Sequence, residues 1–376
     1  MSTSLQLHGA KLTSQQLHSV LQHLFETNLA NEEQTGERPT PVCIWGLHGI
    51  GKTHAVQAFA RERGWKLAYC APAQFEEMGD LHGLPTRLDP DPTVQGDEVT
   101  VYLPPEWVPN QPGPGILLLD DVNRADDRIL RGLMQLLQNF EMFSWQLPAK
   151  WQIVCTANPE GGDYSVTPMD DAMLTRMVHV ALEFDVKAWA AWATSAGVDP
   201  RGIAFVLTYP ETVTGKRTTA RSLTQFFSQI RSIPDLKAKM DLVNVLARGT
   251  LDDVTASAFM AFVADQLEQL ISPEDILDAK DYAPVGKRIS ALAKGKGDSK
   301  RVDRLATICT RLFLHVTAKT YKAGKTHKEN LVSFLLHEDM PADLRFSLHR
   351  DLVAAGAETA ALVRDPRLAK AVLGSM

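Results

Sequence analysis

The sequence has few cysteines, and their arrangement does not indicate any particular chemistry. The four residues, Cys43, Cys70, Cys155 and Cys309, have neither CxxC nor metal-ligand spacing, and three of them fall in segments that we expect to be buried strands. This pattern indicates reduced core residues rather than a disulfide framework. The 11 histidines form no HExxH pair and no G-x-S-x-G elbow is present, so zinc-peptidase and serine-hydrolase chemistry find no support.

Long apolar runs and an excess of positive charge are also missing. No run approaches the roughly 18 apolar residues of a membrane span, and the first residues, MSTSLQLHGAK, lack the apolar segment of a signal peptide. The net charge of −6 provides no general attraction to nucleic acid or to an anionic membrane. We therefore expect a cytoplasmic protein without membrane contact. Its 376 residues are enough for more than one domain, because single cores stop growing at about 250 to 300 residues.

A glycine-rich segment near residue 50 is the most informative motif that is present. The apolar strand VCIW (42–45) runs into GLHGIGKT (46–53), which matches the G-x-x-x-x-G-K-[ST] pattern. Glycines let backbone N–H groups turn toward a phosphate, and the following helix directs its positive end at the same anion. Lys52 would contact the β and γ phosphates, and the Thr53 hydroxyl would ligate Mg²⁺. The alternative is a glycine-rich turn without a ligand. The predicted nucleotide-binding residues are Gly46, Leu47, His48, Gly49, Ile50, Gly51, Lys52, Thr53 and His54.

Strand and helix patterns alternate in the first half of the chain. Continuous apolar runs such as ILLL (116–119) and WQIVCT (151–156) are typical of parallel strands, because both faces of such strands are covered. The order predicts an α/β fold, with a parallel five-stranded sheet between helices over residues 39–185. Residues 1–38 predict an amphipathic helix followed by a polar linker, and helical periodicity dominates from residue 186 onward.

Polar residues follow two of the predicted strands. Asp120 stands where a second acidic residue is needed to hold Mg²⁺, and Asp121 beside it would polarise the water that attacks the γ-phosphate. Asn158 follows the next strand and is a neutral donor that would orient the same water. The alternatives are an ordinary strand-end turn for the two aspartates and an Asx turn for Asn158.

Two arginines are candidates for further contacts with the phosphates. Arg176 lies in DDAMLTRM, before the last predicted strand; in a ring of such domains this edge faces the neighbour's nucleotide, where a guanidinium neutralises transition-state charge. The alternative is a surface ion pair with Asp170 or Asp171. Arg221, near the start of a helix in TTARSLTQFF, is the second candidate. Basic residues that could replace it in this role are Lys216 and Arg217.

The order of these motifs resembles that of the AAA+ ATPases. GLHGIGKT is similar to Walker A, LLLDD to Walker B, CTANPE to sensor 1, DDAMLTRM to the arginine-finger segment and TTARSL to sensor 2. More narrowly, DDVNRADDRILRGLMQLLQN followed by LPAKWQIVCTANPE resembles the MoxR family. The resemblance covers roughly residues 40 to 265.

The resemblance implies both an architecture and an activity. It implies an αβα nucleotide-binding domain (39–185) and a helical lid (186–266); residues 267–376 lie outside it, and we interpret them as an all-helical C-terminal domain. ATP and Mg²⁺ would bind between the subunits of a ring, usually a hexamer. Members act as chaperone-like ATPases that remodel a protein client, often beside a partner with a von Willebrand factor A domain.

One departure from the family pattern leaves a second hypothesis open. The Walker B pair is usually Asp-Glu, whereas this chain has Asp120-Asp121, and a shorter carboxylate favours a nucleotide-gated scaffold with weak hydrolysis. A third hypothesis, a nucleic-acid-associated NTPase, depends on one basic cluster that a solvated loop explains equally well. Its members are Lys287, Arg288, Lys294, Lys296, Lys300, Arg301 and Arg304.

Overall fold

The computed structural model describes residues 6–90, 98–161, 165–214, 217–265, 271–294, 301–318 and 321–373. The chain divides into two compact units, Met1–Asp185 and Val186–Met376. The first unit contains the sheet, and the second is helical. This distribution confirms the predicted α/β class with a helical C-terminal region.

A six-stranded sheet forms the centre of the first unit, and every neighbouring pair in it is parallel. From one edge to the other its strands are β1 (Ala10–Leu12), β10 (Val178–Leu182), β2 (Val42–Trp45), β9 (Trp151–Ala157), β6 (Gly115–Leu119) and β3 (Lys66–Cys70). The five predicted strands are all present. The sixth, β1, was not predicted because its three residues, AKL, carry too little pattern to indicate a strand.

Both faces of the sheet are covered. The helices of this unit are α1 (Ser14–Thr35), α2 (Lys52–Arg63), α3 (Met78–His82), α4 (Asp127–Asn139) and α5 (Asp171–Leu174). Side chains alternate along β2, so Val42 and Ile44 join a core that includes residues of α1 and α2, while Cys43 and Trp45 join a core that includes α4. The layers therefore follow an αβα order.

In the described residues, two small antiparallel hairpins lie outside the main sheet. The proline-rich region contains β4 (Leu84–Leu88) paired with β5 (Val99–Leu103), and α4 is followed by β7 (Glu141–Met142) paired with β8 (Trp145–Gln146). The alternation in EVTVYL (98–103) is typical of a strand and corresponds to β5. β4 contains Pro85, which is tolerated because this hairpin strand has only one neighbour.

The second unit contains only helices and short turns in its described residues. Among those residues, Ile271, Ile289, Leu312 and Phe334 belong to one buried cluster. None of the described helices in the chain is long and apolar enough to cross a membrane. The helices are α6 (Val186–Ser195), α7 (Pro200–Thr208), α8 (Ala220–Ile230), α9 (Met240–Thr250), α10 (Asp253–Asp265), α11 (Pro273–Leu277), α12 (Ala283–Ala293), α13 (Val302–Thr317), α14 (His327–Leu335), α15 (Ala342–Ala354), α16 (Ala357–Val363) and α17 (Pro366–Leu373).

Candidate phosphate-binding site

The strand order brings the predicted site segments together. β9 lies between β2 and β6, and all three strands run in the same direction. Their carboxyl ends therefore meet at one edge of the sheet, which is where parallel α/β sheets hold their ligands. The glycine-rich loop follows β2, the aspartate pair follows β6 and Asn158 follows β9.

The glycine-rich loop has the backbone that a phosphate-binding loop needs. Gly49 and Gly51 have φ values of 69° and 102°, in the left-handed region that side chains disfavour. The Gly46 N–H donates to the Ala157 carbonyl at 3.2 Å, which fixes the loop against β9. Because α2 begins at Lys52, its first N–H groups and the positive end of its dipole face the loop.

Lys52 is buried, although its side chain carries a charge, with a relative exposure of 5%. Its Nζ donates to the carbonyls of Gly46 at 2.7 Å and Leu47 at 3.1 Å, and to Asn158 Oδ1 at 3.2 Å. These bonds compensate for part of the loss of water around the ammonium group. They hold the positive charge beside the loop.

Thr53 and Asp120 form the second part of the site. The Thr53 hydroxyl donates to Asp120 Oδ1 at 2.7 Å, and the Thr156 hydroxyl donates to the same oxygen at 2.6 Å. The Tyr69 hydroxyl donates to Asp120 Oδ2 at 3.1 Å. Burial and the nearby Asp120 carboxylate raise the pKa of Tyr69 to about 12, so its hydroxyl remains a donor at neutral pH. Three hydroxyls thus fix this carboxylate.

Asp121 and Asn158 connect the two parts. Asn158 is fully buried, and its Nδ2 donates to Asp121 Oδ1 at 3.0 Å while its Oδ1 accepts from Lys52. The other carboxylate oxygen, Oδ2, lies 3.5 Å from Arg124 Nε. Asp121 has a φ of 51°, and its N–H donates to the Thr156 hydroxyl at 2.8 Å, which stabilises this less favourable backbone conformation.

Asn158 is in turn held by Asn123. The Asn158 N–H donates to Asn123 Oδ1 at 3.0 Å, and Asn123 Nδ2 donates to the Asn158 carbonyl at 2.8 Å. Both residues are fully buried. A buried side chain with this many partners has a fixed orientation, so the Asn158 amide is positioned before any ligand binds.

The residues at this edge suit a magnesium ion that is shared with a phosphate. Thr53 and Asp120 offer a hydroxyl and a carboxylate oxygen, the hard ligands that Mg²⁺ prefers, and their oxygens already lie next to each other. In the described part of the chain, no group of three or more His, Cys, Asp or Glu side chains could hold a metal ion. Mg²⁺ commonly binds through one or two protein ligands together with substrate phosphates and water, so this sparse ligand set fits it.

Of the two arginines predicted to contact phosphate, Arg176 belongs to the first unit but lies away from the glycine-rich loop. Arg176 precedes β10, whose first residue, Val178, pairs with Val42 at the start of β2, so Arg176 lies at the sheet edge opposite the glycine-rich loop. Its guanidinium donates from Nε to Gln138 Oε1 at 3.0 Å and also bonds the Ala172 carbonyl. Among the described residues, no ion pair joins it to an aspartate.

Arg221 lies in the second unit, in the first turn of α8, where its side chain is exposed. Of the two nearby alternatives, Arg217 donates to the carbonyls of Gly249 and Arg248 at 3.2 and 3.5 Å. Lys216 lies outside the described residues.

The basic cluster in the second unit is partly neutralised. Arg288 pairs with Asp275 at 3.2 Å, and Arg301 pairs with Asp303 at 2.6 Å. Lys296 and Lys300 lie outside the described residues. The described arginine contacts therefore do not favour nucleic-acid binding by this cluster.

Sequence reasoning missed three polar residues of the site. Thr156 and Tyr69 both contact Asp120, and Asn123 holds Asn158. Tyr69 and Thr156 each lie one residue before the end of a strand. Their position near the end of a strand could have indicated that they belong to the site, because the carboxyl ends of parallel strands meet at one side of the sheet.

Comparisons with known proteins find similar structures but no similar sequence. No protein-family model and no curated protein matches the chain. Among solved structures, a variant of RuvB from Thermotoga maritima is 14% identical over 87% of this chain and 98% of its own, with a TM-score of 0.38. The complex of NtrX from Brucella abortus with ADP is 14% identical over 94% of this chain and 70% of its own, with a TM-score of 0.37. Similarity this low does not support a conclusion about function. The function proposed below is argued from the geometry of the site.

Proposed function

We propose that this protein is an AAA+ ATPase of the MoxR type, which binds and hydrolyses ATP with Mg²⁺ between the subunits of a hexameric ring and remodels a protein partner. One observation carries the proposal. A continuous set of hydrogen bonds links Lys52 through Asn158 to Asp121, beside the bond between Thr53 and Asp120. These are the groups needed around the terminal phosphates of a nucleoside triphosphate, and they meet at one edge of the sheet.

Each residue has a role in this proposal. The loop N–H groups and Lys52 would bind the phosphates. Thr53 and Asp120 would hold Mg²⁺, which when bound would supply positive charge next to the transferred phosphoryl group. Asp121 accepts a hydrogen bond from the attacking water and polarises it. Asn158, which already donates to Asp121, orients the same water, and Arg221 provides a further phosphate contact.

The position of Arg176 supports assembly into a ring. This residue precedes the amino end of β10, whereas the loop follows the carboxyl end of the neighbouring strand β2. The intervening strand spans about four residues, or about 13 Å, which is more than an arginine side chain can cover toward its own loop. A role for Arg176 in hydrolysis therefore requires the nucleotide of a second subunit.

The exposed β4–β5 hairpin supports contact with a protein client. Leu84 and Leu103 face each other across this hairpin and are 72% and 56% exposed. Neighbouring exposed apolar side chains that form a contiguous patch are typical of interaction surfaces. A partner with a von Willebrand factor A domain is the second kind of partner in this proposal.

The test measures steady-state ATP hydrolysis against protein concentration, together with particle mass by light scattering, with and without nucleotide. We expect specific activity and mass to rise together, because the site is completed by a neighbour. Lys52→Ala should abolish both nucleotide binding and hydrolysis. Lys66→Ala is the matched control, since Lys66 is exposed at the amino end of β3 and its Nζ donates to the Pro112 carbonyl at 2.7 Å, away from the loop. Equal loss in both variants, or activity that is independent of concentration, would contradict the proposal.

A second experiment tests the role of Arg176 in the neighbouring site. Arg176→Ala should lower turnover by about 10³-fold or more, the effect of removing an arginine finger, while nucleotide affinity changes little. Equal losses of affinity and turnover would show that Arg176 does not act on the transition state of a neighbour.

Asp121 favours a second candidate function, a nucleotide-gated scaffold. Its carboxylate bonds Asn158 and lies near Arg124, so both of its oxygens already have partners. If these contacts persist with nucleotide bound, ATP orders the assembly and hydrolysis is slow. Nucleotide-dependent mass without turnover is the outcome that supports the scaffold.

A further inference from the structure

A surface cleft of about 470 Å³ lies in the first unit, away from the glycine-rich loop. Its polar lining includes Arg38 and Arg176, together with Thr40, Gln138 and Thr175. Arg38 comes from the segment that leads into β2, and Arg176 comes from the segment that leads into β10. Because β2 and β10 are neighbours, the cleft lies at the amino-terminal edge of the sheet.

The two arginine-bearing segments are fixed by the fold. The buried Asn28 side chain on α1 donates to the Thr40 carbonyl at 3.1 Å and accepts from the Thr40 N–H at 3.2 Å. The Val178 N–H donates to the Pro41 carbonyl at 2.9 Å, which joins the two segments directly. The backbones that carry Arg38 and Arg176 are therefore held in place before any ligand arrives.

Among the described residues, no carboxylate pairs with either of these two guanidiniums. In the ranges that the structure describes, neither Arg38 nor Arg176 forms an ion pair, although surface arginines of the same unit such as Arg63 and Arg131 do. Each is held by a neutral amide instead: Arg38 donates to Gln146 Oε1 at 3.3 Å, and Arg176 donates to Gln138 Oε1 at 3.0 Å. Hydrogen bonds to a neutral amide are weaker than those to an anion, so an arriving anion can replace the glutamines.

We infer that Arg38 and Arg176 form a two-arginine receptor for the terminal phosphate of a nucleotide held by a second copy of this chain. Arginine is suited to this task because its planar donors match phosphate oxygens, and two of them can contact separate oxygens. A head-to-tail assembly places the cleft of one copy against the glycine-rich loop of the next, since the two features lie at opposite edges of the sheet. The inference rests on the proposed function and adds Arg38 as a residue that acts in the neighbouring site.

The experiment mixes two variants of the full-length chain, one inactive and one with reduced turnover. Lys52→Ala removes the lysine of the loop but keeps the cleft, whereas Arg38→Ala keeps the loop and removes one arginine. We expect Arg38→Ala alone to lower turnover by about 10- to 100-fold, the loss that one charge-assisted hydrogen bond produces. Mixing it with Lys52→Ala should raise ATP hydrolysis above the sum of the separate samples, because an intact loop then meets an intact cleft.

A matched control is Arg61→Ala, which removes an exposed arginine of the same unit outside the cleft, and it should behave like wild type. Arg38→Lys, which retains the charge but not the planar donors, should recover part of the activity. Unchanged turnover in Arg38→Ala, or a mixture no more active than the sum, would overturn the inference. Binding of inorganic phosphate to isolated subunits, lost in Arg38→Ala without any effect on mixed samples, would instead identify a free-anion site and also overturn it.

Failure of the proposed function has a different outcome. If wild type neither assembles with a non-hydrolysable ATP analogue nor hydrolyses ATP, both proposals are wrong. If wild type is active and Arg176→Ala is inactive, but Arg38→Ala behaves like Arg61→Ala, the ATPase proposal stands and only the role of Arg38 is wrong.

Discussion

Asp121 combines a short carboxylate with a backbone in the left-handed region, at φ 51°. The side chain reaches Asn158 and lies near Arg124, so its position is set by protein contacts. A water molecule that attacks the γ-phosphate needs the carboxylate close to it, and displacement by about 1 Å lowers a rate by about a hundredfold. A difference of one methylene group in this side chain is therefore enough to change the rate of hydrolysis.

We predict that Asp121→Glu increases ATP turnover by about 10-fold or more, because the longer side chain extends toward the water. The measurement is single-turnover hydrolysis at saturating ATP, with nucleotide affinity determined separately. Asp127→Glu is a control for the added methylene, since Asp127 is an exposed residue in the first turn of α4. An unchanged or lower rate would mean that Asp121 already reaches the water and that chain length does not limit hydrolysis.

His179 is a second residue whose environment has a measurable effect, in this case on how stability depends on pH. It is half-buried, accepts from Trp45 Nε1 at its Nδ1 (2.9 Å), and its Nε2 lies 2.7 Å from the Leu174 carbonyl. Burial lowers the pKa of His179, and the nearby His8 ring acts in the same direction, against the bond to Leu174. Protonation would also place an N–H against the indole N–H of Trp45, the residue that precedes the loop.

Because the folded-state pKa is the lower one, the unfolded chain binds a proton first as pH falls. We expect the contribution of His179 to stability to be complete above about pH 6.5 and to decline as the pH falls below that value. The measurement is the unfolding free energy of wild type and His179→Gln between pH 8 and pH 5. Wild type should lose more stability than the variant on acidification; parallel curves would contradict the prediction.

The sequence predicted site residues that belong to a contiguous motif or end an apolar run. Lys52 and Thr53 are fixed by the spacing of the loop, and Asp120 follows four apolar residues that are typical of a buried parallel strand. Tyr69 was missed because its partner, Asp120, is distant in sequence and meets it only through the pairing of β3 with β6. Such contacts depend on strand order, which periodicity does not give.

At the scale of elements, α1 belongs to the buried core that lies on one face of the sheet and includes residues of α2 and β2. The predicted amphipathic helix buries Leu17, Leu21 and Phe25 among residues of β2 and α2. Phe25 is only 1% exposed, with ring centroids 5.4 Å from Phe59 and 5.9 Å from Trp65. Its periodicity was visible in the sequence, whereas the surface that it would cover was not.

We predict that Phe25→Ala lowers the free energy of unfolding of the first unit by about 3–5 kcal/mol, the usual cost of removing a buried phenyl group. His23→Ala on the exposed side of the same helix should change it by less than about 0.5 kcal/mol. Urea unfolding monitored by tryptophan fluorescence measures both. A small effect of Phe25→Ala would indicate that residues 1–38 form a separate segment attached loosely to the sheet.

Short elements show where prediction from sequence ends. β7 and β8 have two residues each, and the five residues of β4 include a proline, so none of them carries a readable period. β7 contacts α4, so the helix that precedes this hairpin helps to position it. The Tyr102 ring, for example, lies 5.0 Å from Phe143 on the other hairpin, a contact between residues distant in sequence.

At the scale of the whole molecule, different functional groups lie at the carboxyl ends and at the amino ends of the parallel strands. The carboxyl edge carries the loop, the aspartate pair and Asn158, while the amino edge carries the cleft with Arg38 and Arg176. If both surfaces contact the same nucleotide, as we propose, only two molecules can use them together. Hydrolysis that depends on concentration is therefore the property that this arrangement predicts.

The four cysteines are buried, and burial raises the pKa of each thiol, to about 12 for Cys70 and Cys309. Since the thiolate is the reactive form, we expect the native protein to react slowly with Ellman's reagent and the unfolded protein to release four equivalents. Rapid reaction of the native protein would contradict the burial of these residues.

Because its own thiols are protected by burial, the chain is already suited to site-specific labelling at an added surface cysteine. A single surface change such as Arg61→Cys would carry a fluorophore, and energy transfer between two labelled batches would report how quickly subunits exchange.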